Sequence, residues 1–492
     1  MGWEEREDWI LKKVSVSLSL NHYTMFWNIF SLTVGVVMTL FGITWQKIVN
    51  YAKRFNKPID LSYQNDAFAE DTIKYRFRGI LYDINDTYED AAVSLGEEKI
   101  ERPFDFDEYY SKESPFYIPK YSRLTDNKED EKLLKLFFDK YSKAYTNNRD
   151  FLENAPFIDV EHAFYFYILD KLSGQPANVK SYMCDGTNGY FDPYKLTKKS
   201  SIKKDISGIH LLPKKNSRIL DALDYVILLQ SGNTSKGTKS DLIEDIITQT
   251  LNANSYDLSQ LRGMGWHEAR VEESGARAFL NYLLESERGT NRTVNYLVDN
   301  AGVEFFSDLV LGYALLKHDE LRIGNIIFHV NCLPIYVSDV IPSDFQYTFE
   351  TVKQCILEEK SIDQKKYLGA LEELRSSFSE KENVRADFIW NMPTSYEDIS
   401  RSRDIFTNSD SVLIVKGDLN YRRLCKDKTW HYSKSLNKLT QYINAPTLVI
   451  RSFKSNVILD YNNNRIEEND KRDKDWRTNG KYGVISFMRK NG

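Results

Sequence analysis

The feature that most constrains the fold is a series of short apolar runs in the C-terminal part of the chain. The runs are VNYLVD from residue 294, NIIFHVN from 325, SVLIVKGD from 411, TLVIRSFK from 447 and YGVISFM from 482. A helical pattern, GVEFFSDLVLGYALLKHDE, begins at residue 302, directly after the first run. Short apolar strands that alternate with helices are typical of a mostly parallel sheet covered by helices. This pattern predicts an α/β protein.

We divide the chain into three parts. Residues 291–492 are predicted to form an α/β domain, and residues 61–290 a mainly helical domain, with helical spacing in FAEDTIKYRFRGIL, LLKLFFDKYSKAY and VEHAFYFYILDKL. Residues 1–60 are an N-terminal extension. The expected fold is a Rossmann-like α/β/α sandwich with a mostly parallel sheet plus an N-terminal helical domain. Residues 195–217 are basic and polar, and we predict a solvated loop there.

The extension contains an uncharged hydrophobic segment, residues 25–45. At a rise of about 1.5 Å per residue, a helix of this length spans roughly 30 Å, the thickness of a bilayer core. Basic residues follow it, at Lys47, Lys53 and Arg54, which favours a membrane anchor with the body of the protein in the cytoplasm. The alternatives are a buried helix and an extension that the folded protein does not need.

Composition narrows the class of partner. The chain has 66 Lys and Arg against 71 Asp and Glu, a net charge of −5, which gives no reason to expect nucleic acid. Its 4 cysteines form no C-x-x-C pair, and such scattered cysteines fit a reducing compartment.

Oxygen-bearing side chains follow the first two apolar runs. Asp299 and Asn300 come after the first run, and Asp339 comes after the second. Because ligands of an open parallel sheet bind beyond the carboxyl ends of its strands, we expect these side chains to meet. Carboxylate and amide oxygens favour Mg²⁺ or Mn²⁺. Either aspartate alone is also explained as a helix or turn cap.

Charged residues follow the next two runs, with Asp418 and Arg422 after the third and Lys454 after the fourth. Arginine and lysine hold phosphate oxygens, and helix starts at Gly302 and near Leu419 would add backbone N–H groups. The alternative for Arg422 is a solvated helix face. His329, on an apolar strand, is interpreted as a core histidine.

These segments resemble the damage-control phosphatase family, in particular its third subfamily of sugar-phosphate phosphatases. The matching segments are VDNAGVEFFSDLVLGYALL, LPIYVSDV, VKGDLNYRRL and RSFK, in that order, over roughly residues 290–460. The resemblance implies hydrolysis of small sugar phosphates, such as fructose 1-phosphate or fructose 6-phosphate. It also implies a divalent metal, Mg²⁺ or Mn²⁺, with Co²⁺ or Ni²⁺ as further candidates, in the α/β domain.

The resemblance assigns roles to particular residues. Asp299, Asn300 and Asp339 would hold the metal, and Asp299 and Asp339 would be the catalytic pair. The implied substrate-binding residues are Asp299, Asn300, Glu304, Asp418, Leu419, Asn420, Tyr421, Arg422 and Lys454. Asp299 is the candidate nucleophile, and Asp339 is the alternative base.

Three departures from the family pattern affect this interpretation. Asn331 stands where relatives usually have lysine, and the Arg-Thr-x-Lys motif reads RSFK from residue 451. The family's Trp-Gly-Asn-x-x-Asp-Leu stretch is matched only loosely, by residues 231–233 and 241–242.

Two other functions remain open. Asn331, the loosened motif and residues 25–45 favour a non-catalytic, membrane-tethered descendant. The second alternative function is that of an S-adenosylmethionine-dependent protein carboxyl methyltransferase, because some family members carry a protein-glutamate methyltransferase label. The turn after the first run, DNAG, has a single glycine and a carboxylate, which suits a metal better than that cofactor.

Overall fold

The sheet is the centre of the molecule. The computed structural model describes residues 58–95, 102–183, 191–207, 217–232, 237–254, 269–285 and 291–489. Within them lies a seven-stranded sheet of order β1-β7-β6-β5-β2-β3-β4. The strands are β1 (Arg270–Ser274), β2 (Arg292–Leu297), β3 (Ile323–Val330), β4 (Val384–Ala386), β5 (Val412–Lys416), β6 (Thr447–Ser452) and β7 (Tyr482–Met488). Neighbouring strands are parallel, except that β6 and β7 are antiparallel.

Helices dominate the chain before β2. They are α1 (Ala67–Asp71), a π-helix (Thr72–Arg76), α2 (Phe77–Ser94), α3 (Phe106–Tyr109), α4 (Lys128–Ser142), α5 (Asn148–Asn154), α6 (Phe157–Ser173), α7 (Ala177–Met183), α8 (Lys195–Ser207), α9 (Arg218–Ser231), α10 (Lys239–Asn254) and α11 (Ala276–Glu285). The first helix begins where Asp66 accepts a hydrogen bond from the backbone N–H of Ala69, as an N-cap does.

Helices also connect the strands after β2. They are α12 (Val303–Leu316), α13 (Pro342–Glu358), α14 (Gln364–Ser376), α15 (Glu380–Asn383), α16 (Tyr396–Ile399), α17 (Asp404–Thr407), α18 (Asp418–Leu424), α19 (Leu436–Leu439) and α20 (Asn463–Arg472). Short 3₁₀ turns occur at Tyr121–Arg123, Asp319–Leu321, Phe388–Asn391 and Ser400–Ser402.

Alternate side chains of the strands enter two separate cores. In β5, Leu413 and Val415 pack into an aromatic-rich core with α1 to α6, whereas Val412 and Ile414 pack into an aliphatic core with α8 to α14. Successive side chains of a strand point to opposite faces, so helices cover both faces of the sheet. This arrangement confirms the α/β/α sandwich with a mostly parallel sheet.

The structure corrects two local expectations. Residues 195–207 form helix α8 instead of a solvated loop, because Ile202 and Ile206 are buried against the aliphatic core. Strand β1 lies before residue 291, in the part expected to be mainly helical, and pairs with β7. The divisions 1–60, 61–290 and 291–492 remain predictions.

The membrane-anchor prediction concerns residues 25–45, which lie outside the described residues. Among the described helices, none combines the length and apolar character that crossing a bilayer requires.

Candidate active site

The candidate site lies where the connections of the sheet change direction. Strands β2 and β5 are neighbours, but the chain leaves β2 towards β3 and leaves β5 towards β6 on the other side. Ligands of open α/β sheets bind at such a switch point, beyond the carboxyl ends of the strands. A cavity of about 50 Å³ lies there, with room for a few molecules the size of water.

The structure brings most of the predicted site residues to this cavity. Those that line it are Asp299, Asn300, Asp339, Asp418, Leu419, Arg422 and Lys454. They come from the ends of β2, β5 and β6 and from the segment after β3, so the sheet has gathered residues far apart in sequence.

A glycine allows the loops after β2 and β5 to approach closely. Gly417 has φ +91°, and a Cβ there would lie 2.0 Å from Oδ2 of Asp299. Any side chain at this position would therefore displace the Asp299 carboxylate, and the positive φ would strain it as well.

The segment that carries Asp339 is paired with the loop after β2. Asn300 and Asp339 form an isolated antiparallel bridge. The N–H of Ala301 donates to the carbonyl of Ser338 (2.6 Å). Immediately upstream, Tyr336 and Val337 have φ of 57° and 67°. Left-handed backbone is unfavourable for a β-branched residue such as valine, and such strain is concentrated at functional sites.

Side-chain hydrogen bonds orient the oxygens of this loop. Asn300 Nδ2 donates to Asp299 Oδ2 and to Glu304 Oε2, both at 2.9 Å. Ser338 Oγ donates to Asn300 Oδ1 (2.6 Å). Asn331 Nδ2 donates to Asp339 Oδ2 (2.5 Å). The departure at Asn331 therefore places a neutral donor, rather than an ammonium, against this carboxylate.

A buried ion cluster lies behind Asn300. Lys416 Nζ is 3.0 Å from Glu304 Oε1 and 2.8 Å from Asp308 Oδ1. Tyr296 also donates to Asp308 (2.6 Å). Burial raises the pKa of Asp308 to about 6, although the ammonium of Lys416 opposes the rise.

Asn254, at the end of α10, is a site residue that the sequence analysis missed. Its Nδ2 donates to Asp299 Oδ2 (3.0 Å) and Glu304 Oε1 (2.8 Å), and its Oδ1 accepts from the N–H of Ser452 (2.8 Å). The sequence does contain a pattern that could have identified Asn254, because the residues from Asn254 onwards read NSYDL. This fits the Asn-x-x-Asp-Leu spacing of the family stretch. Asn254 is therefore a second candidate for this family stretch, and the loose match at residues 231–242 stays a prediction.

Ion pairs also arrange the cationic side of the cavity. Asp418 Oδ1 accepts from Arg451 Nε (2.7 Å) and from the backbone N–H of Lys454 (3.2 Å). The Arg451 guanidinium lies 4.0 Å from the centre of the Tyr421 ring. Asp418 thereby fixes the turn from which Lys454 reaches the cavity wall.

Arg422 is buried, so the solvated-face alternative is wrong. Its side chain is 4% exposed. Nε and Nη2 donate to the two oxygens of Asp427 (2.7 and 2.8 Å), and Nη1 donates to Glu161 Oε2 (2.7 Å). Burial disfavours its charge, but Asp427 and Glu161 outweigh that effect and raise the pKa of Arg422. The protein's own carboxylates therefore hold this guanidinium in place.

Three predicted substrate-binding residues lie behind the lining. Glu304 contacts Asn254, Asn300 and Lys416, as described above. Asn420 donates to the carbonyls of Val298 (2.9 Å) and Lys416 (2.8 Å). Tyr421 is buried under Arg451. The structure shows these residues supporting the cavity wall, and their contact with substrate stays a prediction.

His329 lies in the core, as interpreted from the sequence. It is 5% exposed, its Nε2 lies 3.0 Å from Asn295 Oδ1, and burial lowers its pKa to about 3.

Sequence reasoning also missed four residues of the lining, which are Phe68, Arg76, Glu161 and Tyr336. The first three come from helices and carry no strand-end signal. Tyr336 OH lies 2.9 Å from Nδ1 of His162, whose pKa burial lowers to about 3. The helical layer therefore closes the cavity opposite the strand ends.

The predicted metal ligands remain a set of two carboxylates and one amide. In the described part of the chain, no group of three or more His, Cys, Asp or Glu side chains is arranged to hold a metal ion. Asp299, Asn300 and Asp339 nevertheless converge on one cavity, and their oxygens suit a hard divalent cation.

Fold and site together define a Rossmann-like α/β protein with a small polar ligand cavity at its switch point. Residues 117–469 match the model of the damage-control phosphatase ARMT1-like domain. The chain belongs to this family.

Curated relatives support that membership. The chain is 26% identical over 280 residues to damage-control phosphatase ARMT1 of Xenopus tropicalis, covering 52% of this chain and 61% of the relative. It is 30% identical over 198 residues to the protein of that name from Mus musculus, covering 39% and 43%. For the Danio rerio protein of that name, the identity is 28% over 198 residues, covering 39% and 42%. The chain thus spans about two fifths to three fifths of the length of these relatives.

Proposed function

We propose that this chain is a metal-dependent phosphatase that hydrolyses small sugar phosphates. One observation carries the proposal. Two carboxylates and an amide, from Asp299, Asn300 and Asp339, share a cavity with the cations of Arg422 and Lys454. The curated relatives are named damage-control phosphatases, which supports the same function.

The residues present fit a divalent cation. Asp299, Asn300 and Asp339 offer oxygen ligands on paired segments that hydrogen bonds hold in place. A cation bound there would neutralise the phosphate and polarise it for attack. Mg²⁺ or Mn²⁺ suits this donor set, and Co²⁺ and Ni²⁺ are further candidates.

The chain's own residues would orient the substrate around the breaking P–O bond. Lys454 would bind phosphate oxygens that face away from the carboxylates, as a point charge. In one route, Asp299 would attack the phosphorus as the P–O bond to the alcohol breaks, and water would then hydrolyse the aspartyl phosphate to free phosphate. In the other route, Asp339 would take a proton from a water that attacks the phosphorus directly. In both routes the departing alkoxide would take a proton from water. The lining from the helical layer would limit the size of the sugar.

The test is phosphate release from a panel of sugar phosphates, including fructose 1-phosphate and fructose 6-phosphate, with each of the four metals. We expect activity that a chelator abolishes and that Asp339→Ala reduces by at least about 100-fold, since it removes a charge next to the reacting group. Asp410→Ala, at an exposed carboxylate in the loop before β5, is the matched control.

Inactivity of a folded, metal-binding protein over the whole panel would contradict the proposal and favour the non-catalytic descendant. Asn331 gives that alternative a specific observation, because its neutral amide contacts Asp339 where relatives usually have a lysine. Tight binding of S-adenosylmethionine would instead favour the methyltransferase.

A further inference from the structure

The side chain of Tyr336 joins the turn that carries Asp339 to helix α6. Its hydroxyl lies 2.9 Å from Nδ1 of His162, and its ring lies 4.8 Å from the ring of Tyr165, measured between centroids. Tyr336 and His162 are both buried, although Tyr336 also lines the cavity. The helical layer and the segment after β3 therefore meet at one residue of the lining.

The surroundings of His162 determine which atom carries the hydrogen of this contact. Burial lowers the pKa of His162 to about 3, so the imidazole is neutral and only one of its nitrogens carries a hydrogen. Nδ1 also lies 2.7 Å from the carbonyl oxygen of Ile158, one helical turn earlier, and a carbonyl oxygen can only accept. Nε2 has no hydrogen-bond partner among the described residues, which fits a nitrogen without hydrogen. The Nδ1–H group of His162 is therefore the donor that Ile158 and the Tyr336 hydroxyl share.

The backbone at this contact needs support from its surroundings. Tyr336 and Val337 are two consecutive left-handed residues, with φ of 57° and 67°, and neither is glycine. Residues keep such a conformation only where the surrounding structure determines it. The backbone N–H of Ser338 donates to the carbonyl of Tyr336 (2.7 Å), which closes the turn from within. The contact between Tyr336 and His162 supports the same turn from helix α6.

The turn leads directly to the carboxylate of Asp339, which lies three residues after Tyr336. On the other side of Asp339, the N–H of Val340 donates to the carbonyl of Asp299 (3.1 Å). That hydrogen bond fixes the segment after Asp339, whereas the contact of Tyr336 with His162 fixes the segment before it. Because the position of a side chain follows its backbone, both supports determine where the Asp339 oxygens lie.

We propose that His162 and Tyr336 are positioning residues that fix the turn before Asp339 and thereby hold its carboxylate in place for a divalent metal. The effect on the metal rests on the proposed phosphatase function, whereas the effect on the turn does not. Tyr336 acts through the backbone that follows it, and His162 acts through Tyr336. The helical layer thus contributes to the metal affinity of a site whose ligands come from the strand ends.

The first measurement is hydrogen exchange of the metal-free protein, read by mass spectrometry on a peptide that covers residues 333–341. Tyr336→Phe removes the hydroxyl and keeps the ring, and Nδ1–H of His162 keeps Ile158 as its acceptor. We expect the protected amides of this peptide to exchange about 3- to 10-fold faster, the factor that corresponds to one hydrogen bond. Exchange in helix α20 should be unchanged.

The second measurement is the Mn²⁺ Kd, obtained by isothermal titration calorimetry. For Tyr336→Phe it should rise by about 3- to 10-fold, at or below the effect of losing a direct hydrogen-bond partner of a metal ligand. His162→Leu removes the donor and should raise the Kd at least as much. His162→Asn should restore the wild-type Kd and exchange rate, because its amide N–H can take the place of Nδ1–H. A merely structural role would lower the stability of the variants without changing the Kd.

Tyr88→Phe is the matched control. Tyr88 is buried in the same aromatic-rich core, and its hydroxyl donates to Oε1 of Gln175 at the same distance, 2.9 Å. It lies outside the cavity lining formed by the described residues. Its loss should leave the Mn²⁺ Kd and the exchange of residues 333–341 unchanged.

Two outcomes would overturn the proposal. One is wild-type exchange of residues 333–341 in both Tyr336→Phe and His162→Leu, and the other is faster exchange with an unchanged Mn²⁺ Kd. If the wild-type protein binds no Mn²⁺, the effect on the metal is refuted together with the proposed function. Mn²⁺ binding that depends on Tyr336, in a protein inactive on every sugar phosphate, would support the positioning role and refute the phosphatase function instead.

Discussion

Two buried lysines support the candidate site, and each lies between two carboxylates. Lys416 is 0% exposed and contacts Glu304 and Asp308, whereas Lys198 is 2% exposed and lies 2.9 Å from Asp192 and 2.7 Å from Asp344. Burying an ammonium is unfavourable unless such partners compensate its charge. Both lysines have a raised pKa, since their carboxylates outweigh the effect of burial.

The two clusters differ in what they hold in place. Lys416 helps to position the side chain of Asn300, because its partner Glu304 also accepts a hydrogen bond from Asn300 Nδ2 (2.9 Å). Lys198 acts on the backbone, since its Nζ donates to the carbonyl of Asp339 (2.9 Å). Asp344, its partner, also accepts from the N–H of Ile341 (2.9 Å) at the start of α13. One cluster therefore orients the loop after β2, and the other fixes the turn that carries Asp339.

The largest expected effect is that of Lys416→Met. It leaves Glu304 and Asp308 in the interior without an ammonium, and breaking a buried pair in this way costs about 3–5 kcal/mol. Denaturant unfolding should show that decrease in the free energy of unfolding. The control is Lys317→Met, which breaks a partly exposed pair with Glu373 and should cost at most about 1 kcal/mol. Equal effects of the two substitutions would show that the Lys416 cluster is not special.

Lys198→Met should lower the free energy of unfolding by about 3 kcal/mol, because it leaves Asp192 and Asp344 buried without an ammonium. The double variant Lys198→Met/Asp344→Asn should recover part of that loss, because it removes one uncompensated charge. Denaturant unfolding measures both. A double variant no more stable than Lys198→Met would show that lost packing, rather than charge, determines the cost.

The third prediction concerns pH and the Lys416 cluster. Burial raises the pKa of Asp308 to about 6 in the folded protein, from its ordinary value of 3.8. The folded state therefore binds this proton more tightly than the unfolded state, and the associated stability is lost as pH rises from about 4 through about 6. The stability of wild type relative to Asp308→Asn should fall by up to about 1.4 kcal/mol per pH unit in that window. A relative stability that increases with pH would contradict the assignment.

The smallest effect is expected for Asn331→Ala, which removes the donor to Asp339 Oδ2 and leaves the Lys198 contact in place. If Asp339 is a metal ligand, the Mn²⁺ Kd should rise by about 10-fold, as when a hydrogen-bond partner of a ligand is lost. Calorimetric titration with Mn²⁺ measures this. An unchanged Kd would show that the backbone support by Lys198 suffices to orient Asp339.

Much of the fold was predictable because its signals are local. The apolar runs coincide with β2, β3, β5, β6 and β7 to within a few residues. Strands β1 and β4 were missed. The first reads RVEES and forms a strand because β7 offers a pairing partner, and the second has only three residues, Val384–Ala386.

The site was predictable in part for the same reason. Residues directly after strands, such as Asp299 and Asp418, must lie at one edge of a parallel sheet. Asn254, Glu161 and Arg76 carry no such signal, since they come from helices whose positions depend on packing. The sequence analysis placed Lys198 in a solvated loop, and Lys416 stands at the charged end of an apolar run, yet both are buried.

By itself, the sequence determined strands β2, β3, β5, β6 and β7 and the order of the polar residues that follow them. These depend on side-chain period and backbone geometry, which act over a few residues. Only the tertiary structure decided which charges are compensated. Lys198 pairs with Asp344, 146 residues away, and Arg422 pairs with Glu161, 261 residues away. Whether a charge is buried or solvated depends on partners that only the folded chain brings within contact distance.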